Sequence, residues 1–259
     1  MSNPLAPEWL DEPADLNALD DRVWPSNFVR QPTGECSIGG VSVRDLAANF
    51  STPLFVIDED DFRERATAVK EALERAAESI GTTAKVYYAS KAFLSVEIAS
   101  WIDELELNLD VSSGGELAAA LASGIPPQRI GLHGNNKSTR EIARAIAAGV
   151  GAIVIDSEIE IERIAAAAAA QDKIQPVRLR VNTGVHANTH DFLATAREDQ
   201  KFGISIADAP SLVAKIRSHR HLTFLGLHSH IGSQIHSREG FVEAVRRLVK
   251  LHAELSEVA

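Results

Sequence analysis

The sequence predicts an α/β fold, a (β/α)8 TIM-type barrel that is apparently incomplete at about seven βα units. Three observations predict it. Short apolar, β-branched runs alternate with stretches of helical spacing at roughly 30 residues per unit, the length of a βα repeat. The runs are apolar at most positions, as strands covered on both faces must be. No GxGxxG follows the first strand, which favours a barrel over an open doubly wound sheet, although pattern alone leaves the open sheet as the alternative.

The elements follow in order. The chain to about Pro32 is rich in Pro, Asp and Glu and reads as an extended arm, with Trp9 and Trp24 as anchors. CSIGGVSV (36–43) predicts a short strand interrupted by Gly-Gly, followed by a helical turn in RDLAANF. PLFVI (53–57) predicts the first barrel strand, and Asp58 to Ile80 has helical spacing closed by Gly81. Further strands are expected in KVYYAS (85–90), LELNLDV (105–111), RIGLH (129–133), AIVID (152–156), PVRLRVN (176–182) and LTFLGLHSHI (222–231). Helices are expected between them, in 94–102, 116–124, 139–150, from Ser157 onward and in 208–218, with Ser138 as a cap. The last segment, REGFVEAVRRLVKLHAELSEVA, is amphipathic. The expected organisation is an arm over 1–35, a strand and helix over 36–52, and a cofactor-binding barrel over 53–259, with the chain a piece of a longer enzyme.

Composition removes several classes of function. The 259 residues carry 36 acidic against 26 basic side chains, a formal net charge of −10. Nucleic acid and anionic membrane are poor partners for such a surface, because both are bound through clustered Lys and Arg. A single cysteine, Cys36, excludes an intramolecular disulfide framework and a multi-cysteine zinc site. No apolar run is long enough to cross a bilayer, and the N-terminus lacks the basic and apolar regions of a signal peptide, so a cytoplasmic location is expected.

In parallel α/β folds chemistry gathers at the C-terminal ends of strands. Lys91 falls just past the second predicted strand, flanked by Ala89, Ser90 and Ala92. An amine held among small neighbours in a cramped site loses proton affinity, which makes it nucleophilic. Asp110 ends the third strand, with Ser112, Ser113 and Glu116 after it; the serines are the better helix caps, which leaves Asp110 free for another role. Arg180 inside an apolar strand needs a carboxylate or phosphate, and a structural ion pair is its plainer reading. His228 and His230, two apart, share a face. A metal held by them with Asp110 or His133 is the weaker reading. Gly232 and Ser233, at a strand end leading to a helix, can turn N–H and O–H groups to a phosphate. An amine, a flat ring support, a carboxylate and a phosphate loop together suit pyridoxal 5'-phosphate.

IGGVSVRDLAANFSTPLFVIDEDDFRERA, YYASKAF, LDVSSGGEL, HGNNKS, RVNTGVHANTH, QKFGIS and GLHSHIGSQ occur in an order and spacing that resemble the pyridoxal-phosphate-dependent decarboxylases with an alanine-racemase-like barrel. The resemblance runs from about residue 36 to the end. It implies a lyase acting on a small amino acid in lysine biosynthesis, removing the carboxylate of meso-2,6-diaminopimelate to give L-lysine and CO2. Ornithine, arginine or carboxynorspermidine decarboxylation, or a non-catalytic pyridoxal-phosphate-binding role, are the alternatives. By the same resemblance Lys91 would carry the cofactor, His230 would stack on its ring, and Ser233 would contact its phosphate. Asp110 and Glu116 would line the cofactor side, and Arg180 would support the ring region. Asn182, His190 and the KFG stretch (201–203) would shape the loop over the pocket. Residues 36–43 would join a C-terminal β-domain. A Gly-rich phosphate strand, a Glu for the pyridine nitrogen and the Cys and Tyr of that β-domain are not in these 259 residues, so little activity is expected of them alone. The resemblance also implies a homodimer for the longer protein.

Overall fold

The computed structural model describes residues 15, 17–20, 23–185, 202–232 and 238–257. Trp9, His190, Lys201, Ser233 and Gln234, which the sequence reading singled out, lie outside the described residues. The chain divides into two compact units, residues 1–75 and 76–259.

In the first unit, β1 (Phe28–Arg30), β2 (Cys36–Ile38) and β3 (Val41–Ser42) form an antiparallel sheet in that order. Gly39 and Gly40 join β2 to β3 with φ of +54° and +79°. A two-residue hairpin turn with both central residues at positive φ matches the natural strand twist, and only glycine adopts it freely. The Gly-Gly interruption is therefore a hairpin turn. β1 comes from the segment read as an extended arm; its Phe28 stacks on Trp24 with ring centroids 4.3 Å apart. Ser42 caps α1 (Val43–Phe50) by accepting the Arg44 N–H at 3.2 Å. α2 (Glu59–Glu78) carries Glu-to-Arg and Asp-to-Arg pairs one turn apart, such as Arg65 with Asp61 at 2.9 Å. PLFVI (53–57) departs from expectation. It forms no ladder among the described residues, and Phe55 is 97% exposed. Apolar β-branched composition favours an extended chain, but a strand exists only where a neighbour accepts its backbone hydrogen bonds.

In the second unit, parallel strands alternate with helices. β4 (Tyr87–Ala89), β5 (Asn108–Val111), β6 (Ile130–Leu132), β7 (Ala152–Ile155), β8 (Gln175–Asn182) and β10 (Leu222–His228) lie in the order β10-β8-β7-β6-β5-β4, and the short β9 (Ile204–Ser205) pairs with the end of β8. α3 (Val96–Glu104), α4 (Gly114–Ser123), α5 (Thr139–Ala148), α6 (Glu158–Ala170), α7 (Ala209–Ser218) and α8 (Glu239–Glu257) fill the intervals and the end. This is the strand–helix succession of a (β/α)8 barrel, incomplete, with six strands on the continuous path among the described residues.

Local signals explain the boundaries. Ser95, Ser113 and Ser138 each accept a backbone N–H from the first turn of the helix they precede. Ser138 and Glu141 complete a reciprocal capping box. Gly124 and Gly149 end α4 and α5 in the left-handed conformation.

Alternation within β8 divides the sheet into two faces. Gln175, Val177, Leu179 and Val181 are buried, while Pro176, Arg178, Arg180 and Asn182 are not. The buried set joins Leu109, Ile153, Ile155, Ile142, Ile146, Ile161 and Ile164 in the core. Burying each such side chain contributes about 1.5–3 kcal/mol. The opposite face carries the polar residues.

Strand β10 reaches that arrangement through a bulge. Phe224 pairs with Val177 and Gly226 with Arg178, so Leu225 is one residue extra. Before the bulge, Phe224 points to the helical side, where Arg217 of α7 lies 5.6 Å over its ring. After it, His228 stands in register with Arg180. An added residue reverses every later side chain of a strand, so the bulge turns His228 to the polar face.

Candidate functional site

A cavity of about 280 Å3 opens at the C-terminal strand ends. Lys91, Asp110, His133, Arg180, His228 and His230 line it, with Ser112, Gly134, Asn135 and Phe202. The register explains the convergence. Ala89 pairs with Asp110, Asp110 with Gly131, and Arg180 with His228, so these rungs lie side by side. His133 and Lys91, each two residues beyond a rung, continue the same alternation.

Asp110 is fitted by its neighbour. A Cβ at Gly131 would lie 2.6 Å from Asp110 Oδ1, so only glycine leaves room for this carboxylate. Asp110 Oδ1 comes within 2.9 Å of His133 Nε2 yet is buried without a hydrogen-bond partner among the described residues. The approach is thus an electrostatic contact without hydrogen-bond alignment. The His133 ring meets His228 edge-on, with centroids 5.0 Å apart.

The imidazoles of His228 and His230 are biased toward the neutral form. Burial, followed by His133, Arg180, His230 and Arg178, pushes His228 down to about 3. Its Nδ1 is buried and has no hydrogen-bond partner among the described residues. His230 sits at the exposed tip and is lowered by partial burial first, then by Arg180, Lys91 and His133. Lys91 is therefore close enough to act on His230. Its own side chain is exposed, as are Ala89 and Ala92, so the cramped surroundings expected of it are not found. The reason is topological: β4 is the edge of the sheet path and pairs on one side only among the described residues.

Arg180 meets the plainer expectation. Its Nη1 donates to Asp156 Oδ1 at 2.9 Å, and Asp156 is almost fully buried. Its guanidinium lies 5.3 Å over the Phe202 ring. Behind it, Lys137 is paired with Glu160 at 2.8 Å, both buried. Glu116 lies apart from the cavity lining and accepts the Ser112 N–H at 2.5 Å from the first turn of α4. Gly232, beyond His230, is exposed with φ of +131°. The structure thus gathers Lys91, Asp110, Arg180 and His230, while Glu116 braces a backbone. Ser113 caps α4, as expected, and Ser112 lines the cavity. Among the described residues no group of three or more His, Cys, Asp or Glu side chains is placed to hold a metal ion. Sequence reasoning passed over Asp156, Lys137 and Glu160; the only sign of Asp156 was its position at the end of a predicted strand.

An amine at a strand end, facing imidazoles and backed by an arginine–carboxylate pair, places the charged and ring-bearing groups of this barrel-type domain around one cavity. The chain belongs to the pyridoxal-dependent decarboxylase family: residues 63–259 match the description "Pyridoxal-dependent decarboxylase, pyridoxal binding domain". Diaminopimelate decarboxylase of Mycobacterium leprae (strain TN) is 48% identical over 251 residues, 96% of this chain and 52% of that protein. The Bacillus subtilis (strain 168) diaminopimelate decarboxylase is 41% identical over 219 residues, 84% of this chain and 49% of that protein. The crystal structure of diaminopimelate decarboxylase from M. jannaschii superposes with a TM-score of 0.81 at 30% identity, covering 90% of this chain and 54% of that one. The chain spans about half the length of the curated relatives it matches.

The cofactor of this domain is pyridoxal phosphate, and the residues fit it. The cavity is close to the roughly 300 Å3 lower bound of small-molecule pockets. Polar atoms on Asp110 and His228 without a hydrogen-bond partner among the described residues are buried near it, and Lys91 and Arg180 supply positive charge for an anionic group.

Proposed function

We propose that this chain carries the cofactor site of an enzyme that decarboxylates meso-2,6-diaminopimelate to L-lysine and CO2. The observation that carries the reading is Lys91 on one cavity with His230, Asp110 and Arg180. The choice of substrate is supported by the relatives of that name and by the M. jannaschii enzyme in co-complex with L-lysine. When bound, pyridoxal phosphate withdraws the electron pair left by the departing carboxylate. Lys91 is the amine that would hold the cofactor, and its Nζ could carry the proton that the reacting carbon takes up. His230, biased toward the neutral form, offers a flat ring face. Arg180, locked on Asp156, keeps a fixed positive charge at the wall. Gly232 and Ser233 are proposed as the phosphate contact, and Glu116 as the brace that holds Ser112 at the cavity edge.

We further propose that the enzyme acts in the cytoplasm and as a homodimer. Among the described residues no helix is long and apolar enough to cross a membrane. The test of substrate is CO2 release from carboxyl-labelled meso-diaminopimelate, ornithine and arginine. Diaminopimelate is expected to be turned over fastest, with lysine as product; faster release from either of the others contradicts the reading.

The two neighbouring histidines separate by role. His230→Ala is expected to weaken pyridoxal phosphate binding more than His228→Ala, by about tenfold or 1.4 kcal/mol. A fluorescence titration of both variants checks this, and equal losses count against His230 as the ring support.

A further inference from the structure

We propose that Lys137 is a positioning residue for the cofactor pocket, acting through Glu160 and Asp156 on Arg180. The inference rests on the function proposed above and concerns groups that do not line the cavity themselves.

The geometry is a chain of buried polar contacts. Lys137 is 4% exposed, and its three ammonium protons all have acceptors. They go to the Gly134 carbonyl at 2.5 Å, the Val154 carbonyl at 2.8 Å and Glu160 Oε2 at 2.8 Å. Gly134 is a pocket wall residue, and Val154 lies on β7. Glu160 Oε2 also accepts the Asp156 N–H at 2.8 Å, and the Asp156 carboxylate holds Arg180. One ammonium group therefore joins the loop after β6, the end of β7 and the first turn of α6.

Balanced charge lets this chain exist in the core: Lys137 and Arg180 enclose Glu160 and Asp156. Burial draws the Lys137 proton affinity down, while Glu160 and Asp156 oppose the loss. Two carboxylates in succession, without the cations at either end, would be a costly arrangement. The design fixes two pocket features at once. The Gly134 carbonyl of the wall is held by Lys137 directly. The Arg180 guanidinium is aimed by a carboxylate whose backbone Glu160 clamps. Glu160 Oε2 takes both contacts, and Oε1 is buried with no hydrogen-bond partner among the described residues.

The test replaces the buried pair by apolar groups of similar size. Such a replacement often leaves stability unchanged or raises it. The Lys137→Met/Glu160→Met double variant is expected to melt cooperatively near the wild-type temperature. Amide hydrogen exchange should rise in peptides covering residues 133–137 and 155–158 and stay unchanged in α3 and α4. Pyridoxal phosphate affinity should fall about tenfold, the scale on which groups behind metal ligands act. A folded double variant with wild-type exchange and affinity overturns the proposal. A double variant that does not fold, beside a folded Lys137→Arg, also overturns it, because the pair would then serve the fold itself. If the wild-type protein binds no pyridoxal phosphate, the function reading fails, and the exchange pattern still decides whether Lys137 positions the wall.

Discussion

Lowering the pH from 7 to 4 is expected to destabilise the protein steeply, and His228 is expected to account for much of the slope. Its folded value of about 3 lies far below the ordinary 6.5. Below pH 6.5 the unfolded chain takes up a proton that the folded chain refuses. The contribution is therefore fully present above pH 6.5 and is lost progressively as pH falls toward 3, at up to about 1.4 kcal/mol per pH unit. The lowered His230 adds to the beginning of this window. Glu141 also has a lowered value, from 4.5, but its loss begins only below that pH. The interval from 6.5 to 5 thus belongs to the histidines. Urea midpoints at half-unit steps of pH check it. A His228→Asn variant is expected to flatten this interval; an unchanged slope would mean that the buried ring is not the group that titrates.

Arg180→Met is the second large effect. The substitution leaves the Asp156 carboxylate, 6% exposed, without its cation. Breaking a buried pair by removing one partner costs about 3–5 kcal/mol, because the remaining charge stays desolvated. The Phe202 ring loses the guanidinium that covers it as well. Denaturant unfolding of the variant measures the loss. Arg180→Met/Asp156→Leu is expected to recover much of it, since no buried charge is then left without its partner. A single-variant loss under about 1 kcal/mol would place the pair among exposed salt bridges of small effect.

Much of the second unit was legible because its strands are apolar runs with helical segments between them. AIVI and NLDV became β7 and β5, and Ser138 capped α5. That Lys91, Asp110, Arg180 and His230 would meet around one cavity followed from their places at strand ends. What failed needed tertiary information. PLFVI has strand composition, but its pairing depends on a neighbour that composition does not supply. The Leu225 bulge decides which face His228 takes, and no residue type announces it. Glu158 and Glu160 sit in the same EIEIER stretch, yet their side chains are 63% and 2% exposed. Only the position of α6 against the sheet separates a solvated glutamate from a buried one. Lys137 was quoted within HGNNKS, but a buried ammonium cannot be told from a surface one in a polar run.

Borohydride reduction of the protein with added pyridoxal phosphate, followed by peptide mapping, tests the central claim most directly. One stable attachment is expected, at Lys91, with the buried Lys137 unmodified. Attachment spread over Lys70, Lys85, Lys173, Lys215 and Lys250, with no excess at Lys91, would contradict it.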